Sequence, residues 1–441
     1  MTHTEMDERR CDFSVDRRAF LRRASLTAAA GALLPLTGGA GRATASAGKT
    51  AGTDPDRLFK AGRFSAADRA YATLLRKDPA NAQALAGRGR IALLSNDFRD
   101  AERFLTRAIE LAPDDTFSMR QLAECFVRQN QVARAAPLLR GTGDPADAAY
   151  AVQYTGMAGP SYRMEGANKT RLPFVCVDPL PSVRASINGG QAKSFLIDTG
   201  ATLALHSTTA QEVGLRALAT STTHPAGQTL TTYHGAMDAF RLGGIGMRNV
   251  PVVWYDLRMP DLPDGSKPAG VIGTELLSHF IATMDYAAQE LVLRRKTPAQ
   301  VRELWRETGR TGADRLPLWI AADHVPCSLG GVNDLGPRVA SLDTGGMGLG
   351  IMMTEDNAKK AGVAIDYDHP SDQGPMKAYP IAPDRISLGR AVGGKIPGVA
   401  GPWPWLSMFG FDTIGNFTHE FFKRRAITFD YASMHLYITT R

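Results

Sequence analysis

The feature that most constrains the fold is a long internal repeat in the second half of the chain. The tripeptide Asp-Thr-Gly occurs at residues 198–200 and again at residues 343–345, and each copy follows an apolar stretch. The segments Thr283–Tyr286 and Thr428–Tyr431 recur with the same spacing of 145 residues. A fixed long period indicates that one structural unit occurs twice. We therefore expect two similar units in this part of the chain.

The repeated unit has the pattern of β-strands. From about residue 172, short apolar runs such as 173–177, 194–197 and 250–254 are separated by Gly and Pro, which is typical of strands. The clearest helical pattern in this part lies at 298–307. The sequence predicts a multidomain protein, in which an all-α helical repeat domain precedes two mainly-β lobes at 172–297 and 298–441.

The helical segment, residues 55–142, repeats every 34 residues. Phe64 and Phe98 have this spacing, and so do Ala67, Ala101 and Ala135 in turn. Small residues at this period let paired helices approach closely, and the segment resembles two to three tetratricopeptide repeats. Such repeats either present a concave peptide-binding surface or form a helical cap on a neighbouring domain. The sequence leaves both open, and it predicts a linker at 143–171.

The two Asp-Thr-Gly tripeptides resemble the active-site motifs of aspartic proteases, specifically the retropepsin-like aspartyl proteases of bacteria. In the first copy, Gly270–Leu277 is similar to the second glycine motif of this family, and Ala282–Tyr286 to its closing strand. In the second copy we expect the equivalents to be Ile414-Gly415 and Ala426–Tyr431, with about three extra residues between the glycine and the closing aspartate. The resemblance covers residues 172–441 and implies duplicated acid-protease lobes.

The resemblance implies that Asp198 and Asp343 form a catalytic dyad at the interface of the lobes. Peptide hydrolysis by this route holds one water between an ionised and a protonated carboxyl group, and it needs neither a metal nor a cofactor. Two carboxylates held close together do not both ionise, so one shared proton is kept over a useful pH range. One aspartate must come from each lobe, and the repeat supplies two.

Four neighbouring residues are expected to support this dyad. In the family, the hydroxyl groups of Thr199 and Thr344 would bond across the lobes and hold the aspartates in place. Gly200 and Gly345 would allow the tight turns that bring backbone N–H groups near the carboxylates.

The residue after each tripeptide bears on the pH of activity. It is Ala201 in the first copy and Gly346 in the second, where acid-active relatives often carry Ser or Thr. A hydroxyl there would bond the ionised carboxylate and lower its pKa. Its absence from both copies predicts activity at mildly acidic to neutral pH.

A turn-rich stretch at 225–235 lies where the family has a flap hairpin over the cleft. Tyr233 or His234 would contact the substrate there, and a solvated loop is the alternative for either residue. The corresponding stretch of the second copy, 370–383, is richer in proline and charge. One flap is therefore expected, in the first lobe.

The first 47 residues have the pattern of an export signal. Arg17-Arg18 precedes an apolar run at Ala24–Leu36, and small residues end at Ala45-Ser46-Ala47. The paired arginines resemble the twin-arginine (Tat) signal, which implies export and a periplasmic or extracellular location. A basic tail or a lipid-facing anchor is the alternative. We expect no membrane span after the signal is removed.

Charge and cysteine distribution exclude other classes of protein. Lys and Arg number 51 against 44 Asp and Glu, without a dense basic run, which disfavours a nucleic-acid partner. The four cysteines lie far apart and show no metal-ligand spacing. Cys125 falls in the apolar helical pattern and is expected in the core, while Cys176 and Cys327 are expected to be free thiols rather than a pair.

These observations predict an aspartic endopeptidase that acts on a peptide or protein substrate, with a possible protein partner on the helical domain. Both copies are on one chain, so a monomer is expected to complete the site. The alternative is a catalytically silent protein of the cell envelope that binds peptides with the helical repeats and the protease-fold cleft.

Overall fold

The computed structural model describes residues 54–223, 229–256, 258–373 and 376–440. The predicted export signal, residues 1–47, lies outside them. Within the described residues, no helix has the length and apolar character needed to cross a bilayer.

The N-terminal part of the described chain is helical, as predicted. Side chains cap several helices: Asn81, Asp97 and Asp115 each accept a hydrogen bond from a backbone N–H three residues on. The repeated small residues are buried where helices meet, and a Cβ at Gly89 would lie 2.6 Å from Leu105 Cγ. The helices are α1 Pro55–Lys60, α2 Phe64–Lys77, α3 Ala82–Leu94, α4 Phe98–Leu111, α5 Thr116–Val127, α6 Val132–Gly141 and α7 Pro145–Gly156.

The segment predicted as a linker, 143–171, is largely ordered secondary structure. Helix α7 extends the helical domain, and Pro145 at its start follows the capping residue Asp144, whose carboxylate accepts from two backbone N–H groups. Two strands then join the β-sheets, β1 Arg163–Gly166 and β2 Lys169–Pro173. The linker prediction was wrong because Ala146, Ala149 and Ala151 are buried in a helix that packs on the neighbouring helix and sheet, which no local pattern reveals.

Most strands of the first unit form an eight-stranded sheet in the order β1-β8-β5-β9-β4-β3-β7-β6. The run predicted as a strand at 250–254 lies within β8, whereas 174–177 lies outside the named strands. The elements are β3 Ser182–Ile187, β4 Lys193–Asp198, β5 Ala204–His206, α8 Ser207–Glu212, β6 Ala219–Thr223, β7 Leu230–Leu242, β8 Ile245–Tyr255, β9 Gly270–Gly273, α9 Thr274–Leu277, β10 Phe280–Asp285 and β11 Glu290–Arg295.

The second unit is built in the same way, after a helix at the predicted position. Its main sheet has the order β17-β18-β21-β16-β22-β15-β14-β19-β20, and β13 pairs with β14. The elements are α10 Pro298–Thr311, β12 Asp314–Pro317, β13 Trp319–Ala321, β14 Val325–Val332, β15 Leu335–Asp343, β16 Ile351–Thr354, α11 Glu355–Lys360, β17 Ser371–Gln373, β18 Met376–Ile381, β19 Ile386–Leu388, β20 Ala391–Gly393, β21 Gly398–Gly401, α12 Trp405–Phe409, β22 Asn416–Thr418, α13 His419–Phe422, β23 Ala426–Asp430 and β24 His435–Ile438.

A shared sheet joins the two units around an approximate twofold axis. Strands β10 and β23 pair antiparallel, with Thr283 opposite Thr428, its counterpart 145 residues later. Their hydroxyl oxygens are 2.8 Å apart. The full sheet has the order β12-β24-β23-β10-β11-β2. The fold class is therefore confirmed: a helical repeat region precedes mainly-β units with barrel-like sheets.

The helical domain packs against both β units. Near its start, Phe64 contacts Phe411 of the second unit, with ring centroids 5.0 Å apart. At its end, α7 lies on the β6–β7 hairpin of the first unit, where Tyr150 packs edge-on against His234. The helices thus bridge the two units on the face where β4 and β15 end.

Candidate active site

Strands β4 and β15 end at Asp198 and Asp343, and both aspartates are buried, with 3% and 7% of their surface exposed. Each strand pairs in parallel with a short strand of its own unit, which places Asp198 opposite Gly273 and Asp343 opposite Thr418. The duplicated strands therefore bring the two predicted carboxyl groups to one point between the units.

The two threonines bond reciprocally across this interface. Thr199 Oγ1 accepts from Thr344 N and Thr344 Oγ1 accepts from Thr199 N, both at 3.0 Å. Each hydroxyl also donates to a backbone carbonyl of the opposite unit, Leu342 at 2.9 Å and Ile197 at 3.3 Å. Four bonds thus fix the position of one turn relative to the other.

The two glycines make the close approach of the carboxyl groups possible. Gly200 N donates to Asp198 Oδ1 and Gly345 N to Asp343 Oδ1, both at 2.8 Å. Each glycine also lies against the aspartate of the opposite unit. A Cβ at Gly200 would be 2.7 Å from Asp343 Cγ, and one at Gly345 would be 2.2 Å from Asp198 Oδ2. No side chain fits at either position without moving a carboxyl group.

The surroundings of Asp198 favour its protonated form. Burial raises the pKa of Asp198 well above its usual range. The charge of Asp343 and a hydrogen bond between the two carboxyl groups act in the same direction, and the Gly200 N–H opposes them. A raised pKa for one member means that the pair retains a proton at a pH where an isolated aspartate is ionised.

The pair is asymmetric because of a residue that the sequence did not single out. Asn416 Nδ2 donates to Asp343 Oδ2 at 2.9 Å, and Ser341 Oγ donates to Asn416 Oδ1 at 2.8 Å, which orients the amide. The equivalent position in the first unit is Val271, which has no donor. Asp343 thus accepts hydrogen bonds from both Gly345 and Asn416, whereas the residue equivalent to Asn416 in the first unit has no side-chain donor for Asp198.

The predicted equivalence of the second glycine motifs was wrong. In the strand register Gly273 corresponds to Thr418, and Gly270 to Gly415, both at the common spacing of 145 residues. The second copy therefore has no insertion before its closing aspartate. The expected insertion of about three residues came from aligning Gly415 with Gly273. Its true equivalent is Gly270, three residues earlier.

The same register explains the glycine that follows the second tripeptide. In the first unit, Ala201 packs against Gly273, where a Cβ would lie 1.8 Å from the Ala201 carbonyl oxygen. In the second unit the glycine follows the Asp-Thr-Gly tripeptide instead, and a Cβ at Gly346 would lie 2.5 Å from Thr418 Cβ. Gly346 is thus the steric complement of Thr418.

A cavity of about 610 Å³ lies between the β units and the helical domain. Its floor includes Asp343, Gly200 and Asn416. Its walls include several aromatic side chains, and both the β units and the helices contribute them. These are Phe117, Tyr150, Tyr154, Tyr162, Trp403, Trp405 and Phe409.

The predicted flap is a hairpin of β6 and β7, in which Ala219 lies opposite His234. Residues 224–228 of the predicted stretch lie outside the described residues. His234 is buried, 2.7 Å from Ser221 Oγ and packed against Tyr150, while Tyr233 stacks on Trp254. Neither Tyr233 nor His234 is among the described residues that line the cavity. The substrate-binding assignment of these two residues therefore has no geometric support.

The corresponding stretch of the second unit also forms a hairpin. Strands β17 and β18 pair antiparallel, with Ser371 opposite Ala378. Proline is compatible with a strand where its missing N–H is not needed for a hydrogen bond to the neighbouring strand. The proline content of this stretch therefore does not prevent strand pairing. Pro380 lies on β18, opposite Val399.

A second set of ionisable groups adjoins the dyad and was missed from the sequence. Asp323 and His324 form an ion pair in the turn between β13 and β14, and His324 Nε2 lies 3.1 Å from the Gly200 carbonyl oxygen. Glu275 is close by, and burial raises its pKa to about 7 against the effect of the Leu203 N–H. The repeat spacing could have pointed to these groups, because Asp178 and Asp323 are 145 residues apart, as are Glu275 and Glu420.

One group in the described part of the chain has the composition of a metal site. Potential ligand atoms of Asp178, His419 and Glu420 lie within 4.8 Å of one another. Lys423 Nζ is 2.5 Å from a carboxylate oxygen of both Asp178 and Glu420. The ammonium group therefore already provides the positive charge at this position. Cys125, Cys176 and Cys327 are free thiols in the structure.

Two family models match parts of the chain. The family model described as aspartyl protease matches residues 183–276, which include Asp198 and the hairpin. The chain carries an aspartyl protease domain. The family model for tetratricopeptide repeats matches residues 56–116 and 95–149, so the aspartyl protease domain follows repeats of the predicted kind.

Two further comparisons add little to the aspartyl protease match. No curated protein matches the chain. Among solved structures, a mutant O-GlcNAc transferase from Thermobaculum terrenum aligns at 25% identity over 20% of this chain and 17% of its own length. Its TM-score of 0.20 is too low to support an argument about fold or function.

Proposed function

We propose that this protein is an aspartic endopeptidase in which Asp198 and Asp343 activate a water molecule for peptide hydrolysis. One observation carries the proposal: the two copies bring two buried carboxyl groups together, each against the glycine of the opposite tripeptide, and one of them, Asp343, lines a cavity. Reciprocal threonine bonds and two glycines hold them there. A packing role alone does not account for two buried acids in contact, because burying such groups without a function costs stability.

The asymmetry of the pair assigns a role to each aspartate. Asp343 accepts hydrogen bonds from Gly345 and Asn416, so it is the ionised member and removes a proton from the attacking water. Asp198 carries the shared proton and donates it to the carbonyl oxygen as the water oxygen bonds to the carbonyl carbon. In the second step the carbon–nitrogen bond breaks, Asp343 returns its proton to the leaving amine, and Asp198 recovers its own.

Substitution of either aspartate tests the proposal. Asp198→Asn and Asp343→Asn are expected to lower the hydrolysis of a mixed peptide library at least about a thousandfold, because neither variant can share one proton between two carboxyl groups. Cleavage products are measured by mass spectrometry at several pH values. Asp334→Asn, an exposed aspartate of the same unit, is the matched control and retains activity.

A peptide-binding protein without turnover is the second candidate, and the helical wall of the cavity favours it. Arg90, Tyr150 and Tyr154 from the helices line the same space as Asp343, and tetratricopeptide repeats commonly bind protein segments. If the wild-type protein binds library peptides in calorimetry but releases no cleavage products, this candidate replaces the endopeptidase. In that case the two asparagine variants bind peptides as the wild type does.

We further propose that the enzyme is exported through the twin-arginine pathway and works as a monomer in the periplasm or outside the cell. A fusion of residues 1–47 to a folded reporter tests the first part. Export that is lost on Arg17→Lys with Arg18→Lys supports it, and a reporter retained in the cytoplasm contradicts it. Sedimentation of the mature protein measures the second part.

A further inference from the structure

The protonation state of His324 follows from the atoms around its ring. Nδ1 faces Asp323 Oδ1, and Nε2 faces the Gly200 carbonyl oxygen at 3.1 Å. A carbonyl oxygen and a carboxylate only accept hydrogen bonds, so both ring nitrogens must donate. Both contacts therefore favour the imidazolium form of His324. Its burial opposes this state, but the charge of Asp323 and its hydrogen bond raise the pKa of His324.

Gly200, which accepts the bond from His324, is the residue of this turn that touches both carboxyl groups. Its N–H donates to Asp198, and its Cα faces Asp343 so closely that a Cβ would be 2.7 Å from Asp343 Cγ. A shift of Gly200 therefore changes both the hydrogen bond to one aspartate and the space available to the other. His324 thus contacts the carbonyl oxygen of the same residue whose N–H binds Asp198.

The two copies differ at this position, so the fold of the repeat does not itself require the contact. At the common spacing of 145 residues, Asp178 corresponds to Asp323 and Pro179 corresponds to His324. Proline has no side-chain donor, so Pro179 cannot make the hydrogen bond that His324 makes. In the first copy, Asp178 pairs with Lys423 and His419 instead.

The helical domain contributes to the same cluster. Arg128 on the C-terminal side of α5 donates to the Ala322 carbonyl oxygen at 3.1 Å, directly before the Asp-His pair. Glu124 binds Arg128 at 2.6 Å. The charged groups that face His324 are thus Asp323 on its own turn, Glu275 on α9, and Glu124 and Arg128 on α5.

We propose that His324 is a positioning residue for the dyad: paired with Asp323, its imidazolium holds the Gly200 carbonyl and so keeps Asp198 in place against Asp343. This inference rests on the proposed endopeptidase function. It has a consequence for pH dependence, since deprotonation of His324 removes one of the two donors and releases Gly200. Activity is therefore expected to fall at alkaline pH when His324 loses its proton. This fall adds to the one caused by loss of the proton that the dyad shares.

Two substitutions of His324 distinguish the role of its hydrogen bond to Gly200 from the role of its positive charge. His324→Phe removes the bond to Gly200 and is expected to lower kcat about 10- to 100-fold, with KM within about threefold of the wild type, because the reacting groups are misplaced rather than the substrate lost. His324→Gln keeps an amide donor without a titrating proton. It is expected to restore most of kcat and to flatten the alkaline limb of the kcat profile.

The controls use similar groups elsewhere. His369→Gln removes an exposed Asp–His pair, with Asp366, and leaves the kcat profile unchanged. Glu275→Gln removes a second titratable group near His324, whose pKa is raised by burial to about 7. If the alkaline limb moves with Glu275→Gln and not with His324→Gln, the assignment to His324 is overturned. Equal kcat profiles for the wild type and His324→Phe overturn it as well.

A measurement without substrate keeps this inference separate from the endopeptidase proposal. Nitrogen-15 NMR of labelled histidine, assigned with His324→Gln, reports the protonation of each ring nitrogen in the intact protein. Two protonated nitrogens at pH 7 are expected, and one unprotonated nitrogen at pH 7 contradicts the imidazolium. Absence of hydrolysis in the wild type, with both nitrogens protonated, would reject the enzyme and retain the ion pair as an element of the binding cleft.

Discussion

Gly200 and Gly345 each lie against the carboxyl group of the opposite copy, and this contact sets a steric limit on the dyad. A Cβ at Gly345 would lie 2.2 Å from Asp198 Oδ2, with the Asp198 Cγ equally close at 2.3 Å. The carboxyl group is itself held by the Gly200 N–H. It therefore has to leave its position if any side chain is added.

We expect Gly345→Ala to lower kcat/KM about 100-fold or more, since displacement of a reacting group by an ångström has effects of this size. The measurement is peptide hydrolysis, with circular dichroism to show that the variant folds. Gly309→Ala is the matched control, because a Cβ at this helical position meets nothing within 4 Å. It should keep full activity and gain about 0.5–1 kcal/mol of stability. Normal activity of Gly345→Ala would contradict the packing described for Asp198.

Asn416 makes a second prediction at the residue scale. Asn416→Val gives the second copy the residue that the first copy has at Val271, and it removes the amide donor to Asp343. The ionised form of Asp343 then loses a stabilising bond, so the acidic limb of the kcat/KM profile should move to higher pH. Val271→Ala is the control in the other copy and leaves the limb in place. An unchanged profile for Asn416→Val would show that the amide does not favour the ionised form.

At the scale of elements, helix α7 holds the flap hairpin of the first unit. Gln153 is buried, and its Nε2 donates to the carbonyl oxygens of Gly235 at 2.6 Å and Val252 at 3.1 Å. These two residues face each other across β7 and β8. One side chain of the helical domain therefore bonds both strands next to the flap.

Gln153→Leu should weaken this attachment and cost about 1–3 kcal/mol, because two buried carbonyl groups lose their donor. Hydrogen exchange of amides in β7 is expected to accelerate, while amides of β10 in the shared sheet keep their protection. Gln83→Leu, which removes an exposed hydrogen bond to Asp56 within the helical repeats, is the control and leaves β7 unaffected. Unchanged exchange in β7 for Gln153→Leu would contradict the role of the helix.

At the scale of the whole molecule, an ion-pair cluster links the two β units away from the dyad. Asp178 precedes β3 of the first unit, and it binds His419 and Lys423 on the C-terminal side of β22 in the second. His419 Nε2, 3.5 Å from Asp178 Oδ1, and then the hydrogen bond from Lys423 lower the pKa of Asp178 to about 2.

This shift predicts a pH dependence of stability. A carboxyl group with a lowered pKa in the folded state stabilises the fold above its unfolded pKa, about 4, and the stabilisation is lost as the pH falls towards 2. The midpoint temperature of unfolding should fall over this range in the wild type. In Asp178→Asn it should be lower at neutral pH and fall less on acidification. Asp334→Asn is the exposed control, and parallel curves for the wild type and Asp178→Asn would contradict the linkage.

The parts of the molecule that follow a regular period were predictable from the sequence. The 34-residue period of small residues indicated the helices, and the 145-residue spacing indicated which strands are equivalent. Each copy of a repeated unit needs the same kinds of residue at the same packing positions, so the period is visible in the sequence. Short stretches without a period were predicted less well. The strand at 174–177 is absent from the named strands, the linker at 143–171 contains α7, and the second glycine motif was shifted by three residues.

The sequence by itself determined that two equivalent strands each end in Asp-Thr-Gly after a helical repeat domain. The spacing of apolar and small residues that is typical of strands and helices can be read directly from the sequence. Only the tertiary structure decided what surrounds the two aspartates. Asn416, His324 and the helical wall of the cavity reach the dyad from distant parts of the chain. Their contacts depend on how the units pack and not on any local pattern, because burial, close approach and shared protons arise only when separate segments meet in space.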